Sequence, residues 1–317
     1  MDWWNKILNI KSTIENFLSA NHDGTIIIRG ATATGKSGLS IELSQYFDME
    51  IISADSRQIF RLMDIGTDKV SKEIREKVPH HQIDIVDPDE TYTAGQRKQD
   101  SETIVEQILS RKKIPVIVGG TGLYIDTIYK NFTMPESAPD PSFRATMEEK
   151  EKAEPGFLHA ELSRIDPDEA LKIHPKATRY LVRALEIYHT TGKTKTEGFI
   201  QQPVKHPLLM LGIRRETEEG NRLINARIKQ MLKNGLIDEV KSLLNAGYTA
   251  DLQSMNGIGY KEVIGYLQNQ YDVEKMEELL KKNTHHLAKK QRTRFRRYIA
   301  EGNVWARENV QYQVLYL

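Results

Sequence analysis

The chain has 317 residues, a formal net charge of +1 and no cysteine. Its length allows one large domain carrying an insertion, or two domains, and its near-neutral balance means that any polyanion-binding signal must be local. Disulfides, thiol nucleophiles and thiolate zinc sites are excluded, in keeping with a reducing, cytoplasmic compartment, and no apolar run approaches the roughly 18 residues of a membrane span.

The first segment, MDWWNKILNIKSTIENFLSA, spreads Trp3, Trp4, Ile7, Leu8, Ile14, Phe17 and Leu18 at helical spacing instead of in the block of a signal peptide, and it has no arginine before Arg29. Residues 1–24 are therefore expected to form an amphipathic helical extension packed on the body. The run TIIIR then leads into Gly30-x-x-x-x-Gly35-Lys36-Ser37, a strand followed by a glycine turn and a helix-like segment. That is the P-loop pattern. Its backbone amides, across Gly30, Ala31, Thr32, Ala33, Thr34, Gly35, Lys36 and Ser37, are expected to cradle a di- or triphosphate, ordinarily ATP or GTP. Lys36 would neutralise phosphate oxygens, and the Ser37 hydroxyl would ligate Mg²⁺.

Further strands are predicted at EIISA, HQIDIV and IPVIVGG, each ending in polar or glycine-rich residues, where open α/β sheets gather their sites. Asp55 follows the second strand. It suits assistance to Mg²⁺ or acceptance of a proton from a nucleophile beside the phosphates, and equally the N-cap of a helix. VIVGGTGLY places Thr121 after Gly119 and Gly120 at another strand end, where it is either a ligand-facing hydroxyl or part of a plain turn. Alternation of strand and helix over residues 25–130 indicates a parallel α/β sheet of P-loop NTPase type with helices on both faces.

The proline-rich FTMPESAPDPSF breaks this pattern, and residues 131–203 read as an all-helical insertion domain. Within it Leu181, Ala184, Leu185 and Tyr188 form an apolar stripe. Arg179 and Arg183, four apart, suit two backbone phosphates or a solvated face. PLLMLGIRR resumes the sheet, so residues 204–317 are the core continuation and a basic C-terminal helical region. Residues 281–297 contain Lys281, Lys282, Lys289, Lys290, Arg292, Arg294, Arg296 and Arg297 without one acid, a concentrated cationic surface for a polyanion. His285 and His286 are adjacent and do not share a helical face, which disfavours a metal site there. Asp84 and Asp87 of IDIVDP are read as structural.

GATATGKS, DSRQIF, MDIGTDK, HHQIDIVDPDETYTAG, VGGTGLY, IHP…RYLVRALE, GLIDEV, GIGYKE and AKKQRTRF, in this order over residues 30–296, resemble the tRNA dimethylallyltransferase (tRNA isopentenyltransferase) family. The resemblance implies that the P-loop holds the diphosphate of dimethylallyl diphosphate instead of a nucleotide, with Mg²⁺ as cofactor. It implies Asp55 as the base for adenine N6, Thr121 beside the reacting centre, and Arg227 of NARIKQM reaching the diphosphate. The implied acceptor is the adenosine immediately 3′ of the anticodon in tRNAs reading codons that begin with U. RNA contacts carried over by motif are Asp55, Ser56, Arg57, Gln58, Thr121, Arg144, Arg179, Tyr180, Leu181, Val182, Arg183, Asn256, Gly257, Ile258, Gly259, Tyr260, Lys261, Lys289, Lys290 and Arg294.

Two positions depart from the pattern. Arg97 stands where an aromatic is usual, and Arg294 replaces a common tryptophan. The zinc-finger extension of eukaryotic cytosolic relatives is absent from the sequence, which looks like the shorter bacterial type, and nothing in it demands more than a monomer. Three other readings compete: a small-molecule kinase, an isopentenyltransferase acting on free adenine nucleotides, and an RNA-binding protein with a relict P-loop.

Overall fold

The computed structural model of the chain describes residues 3–134, 137–300 and 310–316. In chain order the elements are α1 (Trp3–Ala20), β1 (Thr25–Gly30), α2 (Lys36–Leu43), β2 (Met49–Ala54), α3 (Lys72–Lys77), β3 (His80–His81), α4 (Ala94–Ser110), β4 (Ile114–Gly119) and α5 (Gly122–Tyr129). There follow α6 (Pro141–Ala153), α7 (Phe157–Ile165), α8 (Pro167–Ala170), α9 (Thr178–Thr191) and α10 (Lys195–Gly198). The last are β5 (Leu208–Arg214), α11 (Thr217–Lys233), α12 (Leu236–Asn245), α13 (Tyr260–Leu267), α14 (Val273–Ala300) and β6 (Val310–Tyr316). Two compact units result, one from Met1–Tyr129 with Val204–Leu317 and the other from Lys130–Pro203.

The larger unit is built on a six-stranded sheet of order β3-β2-β4-β1-β5-β6, parallel throughout. Every residue of β1 and β2 is buried, the continuous apolar pattern of parallel strands covered on both faces. Side chains alternate between those faces. Ile26 and Ile28 pack with Ile7, Ile10, Ile14 and Phe17 of α1 and Leu39 and Leu43 of α2. Ile27 packs the other way, with Val105 and Ile108 of α4, Ile125 of α5 and Phe295 of α14. A further core joins α11, α12, α13 and α14 through Ile224, Ile228, Leu236, Val240, Tyr260, Val263 and Leu280. The side chains of Trp3, Trp4 and Arg297 lie outside the described residues.

Two strand expectations change. HQIDIV contributes only His81 to the two-residue β3 and Val86 to one isolated bridge with Phe60, because Gln82 and Asp84 adopt left-handed φ values of 59° and 56° that interrupt extended pairing. Asp84 is held in that turn by Lys69 and Arg75, at 2.5 and 2.7 Å. In the C-terminal region, read as helical, VQYQVLY instead adds β6 to the edge of β5.

The smaller unit has its own core, made by Met147 of α6, Leu158 and Leu162 of α7, Ala170 of α8, and Leu181, Val182, Ala184 and Leu185 of α9. Tyr188, expected in that stripe, is 41% exposed, and Ile187 is buried instead.

Candidate functional site

The P-loop turns away from the end of β1 at Gly30, where a Cβ would stand 2.9 Å from the Ile213 carbonyl oxygen of the adjoining strand. Gly35 caps α2 with φ 93°, a left-handed conformation that costs glycine nothing. The amides of Gly35, Lys36 and Ser37 then open the helix with no carbonyl of its own ahead of them, and they face whatever anion lies in the loop. Lys36 Nζ donates to the Ala31 carbonyl at 2.7 Å. Burial lowers its pKa to about 8; Asp55 and Asp68 work against that depression while Arg227 adds to it. Arg227, on α11, donates to Thr32 Oγ1 at 2.9 Å and pairs with Asp68 at 3.2 Å. On its β5 side the loop borders a cavity of about 240 Å³ whose lining includes Arg29, Arg214, Arg215, Arg292 and Arg296.

Register places Ala54 of β2 opposite Gly119 of β4, so Asp55 and Thr121 leave neighbouring strand ends. The fit is tight, since a Cβ on Gly119 would lie 2.2 Å from the Ala54 carbonyl oxygen. The Thr121 amide donates to that same oxygen at 3.2 Å, and the Thr121 hydroxyl accepts the Ser56 amide at 3.2 Å. Asp55 does not cap a helix. Its Oδ1 accepts the Arg57 amide at 2.8 Å, closing a local turn. Among the described contacts its other oxygen has no hydrogen bond, and the residue is half-buried. Since β4 lies between β2 and β1, Asp55, Thr121 and the P-loop that leads to Lys36 follow the ends of three successive strands.

Several polar side chains brace this edge. Gln58 accepts from Ser53 Oγ at 2.9 Å and donates to the carbonyls of Thr67 and Asp68 at 3.2 Å, fixing the loop that presents Asp68 to Arg227. Glu239 of α12 accepts the amides of Asp64, Ile65 and Gly66 at 2.9, 2.7 and 3.0 Å, and Tyr260 adds its hydroxyl at 2.7 Å. Arg97 lies fully buried beneath, donating to the carbonyls of Ser53 and Tyr124 and stacked on the Tyr124 ring. Burial pulls its pKa down to about 10. Gln291 of α14 touches both the P-loop and the Gly120 turn, and Arg294 pairs with Asp126 of α5. Gln291 and Glu239 were absent from the residues singled out by sequence, although both lie inside quoted motifs.

The profile of a family described as IPP transferase matches residues 58–298. The chain belongs to that family. It is 46% identical over 280 residues to a tRNA dimethylallyltransferase of Thermotoga neapolitana, spanning 88% of this chain and 90% of that one. Among solved structures, a tRNA isopentenylpyrophosphate transferase of Bacillus halodurans aligns at TM-score 0.65 and 35% identity, covering 93% of this chain and 90% of that chain. A eukaryotic dimethylallyltransferase, captured in crystallographic snapshots acting on tRNA, aligns at TM-score 0.74 and 29% identity, covering 92% and 73%.

The motifs that this IPP transferase shares do not all present side chains to a partner. Leu181 and Val182 are 0% and 3% exposed because they build the core of the smaller unit, which leaves Arg179 and Tyr180 as the exposed members of that turn, with Arg183 half-buried. Arg183 and Arg144 both bind the buried Glu186 carboxylate, at 2.5 and 2.7 Å. Burial would raise the Glu186 pKa, but the bonds from Arg144, the Asp140 amide and Arg183 outweigh it and hold the group ionised. Tyr260 is 1% exposed and serves Glu239, and Gly257 and Gly259 are buried backbone, so Asn256 and Lys261 are the exposed members of their loop. Arg57 spends its guanidinium on the Gln253 and Ser254 carbonyls at 2.7 and 3.4 Å. Lys289 and Lys290 are exposed on α14.

No group of three His, Asp or Glu side chains among the described residues could hold a metal alone. The exposed Ser37 hydroxyl at the α2 N-terminus, with Asp55 and Asp68 near Lys36, fits the sparser donor set of Mg²⁺, which takes one or two protein oxygens and completes its shell with substrate phosphates and water. No described helix is long and apolar enough to cross a membrane.

Proposed function

We propose that this family member transfers a dimethylallyl group from dimethylallyl diphosphate to N6 of the adenosine immediately 3′ of the anticodon, in tRNAs reading codons that begin with U. The observation that carries this reading is that Asp55, Thr121 and the P-loop bearing Lys36 follow successive strand ends of one sheet. Breaking the allylic C–O bond leaves charge on the departing diphosphate, and Lys36, Arg227 and the helix-opening amides are aimed at that charge. Mg²⁺ bound through Ser37 would supply further neutralisation. A bond forms between N6 and the allylic carbon, and the N6 proton passes to Asp55, whose second carboxylate oxygen is available to take it. Thr121, tied to Ser56, orients the acceptor.

The base must leave the anticodon-loop stack to reach this edge. Candidate RNA-backbone contacts are Arg179, Tyr180 and Arg183 within the smaller unit and, separately, Asn256, Lys261, Lys289 and Lys290 within the larger unit; such contacts respond to salt. The protein acts as a monomer.

The test is transfer of radiolabel from dimethylallyl diphosphate, with Mg²⁺, to an unmodified anticodon stem-loop, to the same RNA with guanosine at the target, and to free AMP. Label entering only the adenosine RNA, and lost with Asp55→Ala, is the expected result. Label in AMP makes the enzyme nucleotide-level, and ATP-dependent phosphorylation of a small hydroxyl compound without prenyl transfer returns the P-loop to a kinase.

A further inference from the structure

Helix α14 does more than present cations. Gln291 Oε1 accepts the Thr32 amide of the P-loop at 2.8 Å, while its Nε2 donates to the Gly120 carbonyl at 3.0 Å. One carboxamide therefore links the loop that holds the donor to the loop that carries Thr121. The contact is shaped on both sides. A Cβ on Gly120 would stand 2.6 Å from Gln291 Nε2, so the glycine leaves the space that the carboxamide fills. One helical turn further on, Arg294 follows the same pattern. It pairs with Asp126 of α5, and a Cβ on Gly122 would lie 2.2 Å from its Cδ. Residues three apart share a helix face. That face of α14 is thus docked into the acceptor loop at two glycine notches, while Lys289 and Lys290, immediately before Gln291, are exposed. Gln291 takes only the Thr32 amide, and those of Gly35, Lys36 and Ser37 remain at the helix opening for an anion.

We propose that Gln291 is a positioning residue through which the seating of RNA on α14 and the binding of the donor at the P-loop favour one another. It rests on the function proposed above. Any shift of α14 as RNA takes up Lys289 and Lys290 is delivered by the Gln291 side chain to Thr32 and Gly120 together. The coupling is reciprocal by thermodynamic necessity, so each substrate tightens the other by the same factor.

The experiment titrates dimethylallyl diphosphate, with Mg²⁺, into the full-length protein by calorimetry. It is run with and without a saturating anticodon stem-loop that carries guanosine at the target, which binds without reacting. The ratio of the two dissociation constants is the readout, since a purely structural defect lowers both affinities and leaves their ratio alone. The wild type is expected to show a ratio of about five or more. Gln291→Ala is expected to bring it close to one. Gln291→Glu keeps an acceptor for Thr32 but loses the donor to Gly120, is also expected to uncouple, and carries the test should the alanine variant not fold. A wild-type ratio of one, or a ratio unchanged in either folded variant, overturns the proposal. A wild-type protein that binds neither RNA nor donor overturns the underlying reading, and this one with it.

Discussion

Lys36 gives the P-loop a pH dependence that an ordinary lysine would not have. Its pKa falls from 10.5 to about 8, first through burial and then through Arg227, with Asp55 and Asp68 opposing. In the free protein about nine-tenths of the side chain is charged at pH 7 and about one-tenth at pH 9. The bound diphosphate favours the charged form, so binding above pH 8 must first recapture a proton. Donor affinity is therefore fully present below about pH 8 and declines above it, by roughly tenfold for each further unit. The assay is the apparent KM for dimethylallyl diphosphate from pH 6.5 to 9.5 at saturating RNA, for wild type and for Lys36→Arg, whose guanidinium does not titrate in that range. The arginine variant is expected to bind more weakly overall and to lose the alkaline rise in KM. Asp68→Asn removes a carboxylate that supports the charged form, so it should move the rise to lower pH. A KM that stays flat to pH 9.5 in the wild type, or a rise that survives unchanged in Lys36→Arg, would show that Lys36 does not set the alkaline limit.

Glu239→Ala strips the acceptor from three backbone amides and from the Tyr260 hydroxyl, and it should cost roughly 3 kcal/mol in urea unfolding, with Glu239→Gln milder because the amide oxygen can still accept. Glu186→Ala should destabilise by about 2 kcal/mol at neutral pH, below the usual range for a broken buried pair because Arg144 and Arg183 are each about two-fifths exposed. The Glu186 pKa is depressed below its ordinary 4.5, so this difference is present above that value and shrinks as pH falls through the lower folded one; thermal melts from pH 7 to 3 read it. Lys289→Ala and Lys290→Ala should each weaken RNA binding in filter assays and lower the slope of log affinity against log salt by about one; an unchanged slope would remove these lysines from the phosphate contacts.

How far the sequence reveals the site depends on whether the physics at each position is local. β1, β2, β4 and β5 are legible because a central parallel strand must be apolar on both faces, which leaves an uninterrupted run. The P-loop is legible because its glycines answer to backbone geometry within eight residues. β6 is not, since only its register along β5, distant in sequence, makes VQYQVLY a strand. HQIDIV misleads because the side-chain pairing of Asp84 with Lys69 and Arg75 supports a left-handed turn that alternation alone does not announce. Leu181 and Val182 sit within a motif and are still core residues. The motif records the whole helix, and the half of it that packs is as constrained as the half that faces outward.

Gln291 and Glu239 were missed for a related reason. Each is a polar side chain in a stretch whose composition points elsewhere, Gln291 among cations and Glu239 on an amphipathic helix, and each acts on backbone groups far away in sequence. Tracing those bonds explains why the separate motifs belong together. GLIDEV supplies Glu239 to hold the MDIG turn, and GIGYKE supplies Tyr260 to hold Glu239. DSRQIF supplies Gln58 to hold the Thr67 and Asp68 carbonyls, which sets Asp68 against Arg227 and Arg227 against Thr32. AKKQRTRF closes the circuit by returning Gln291 to Thr32 and Gly120. A substitution at Glu239, Tyr260, Gln58 or Gln291 is therefore expected to be felt at the P-loop through these hydrogen bonds. On the proposed function, Lys36, Asp55 and Thr121 stand at the chemistry, and Glu239, Tyr260, Gln58 and Gln291 hold the loops around them.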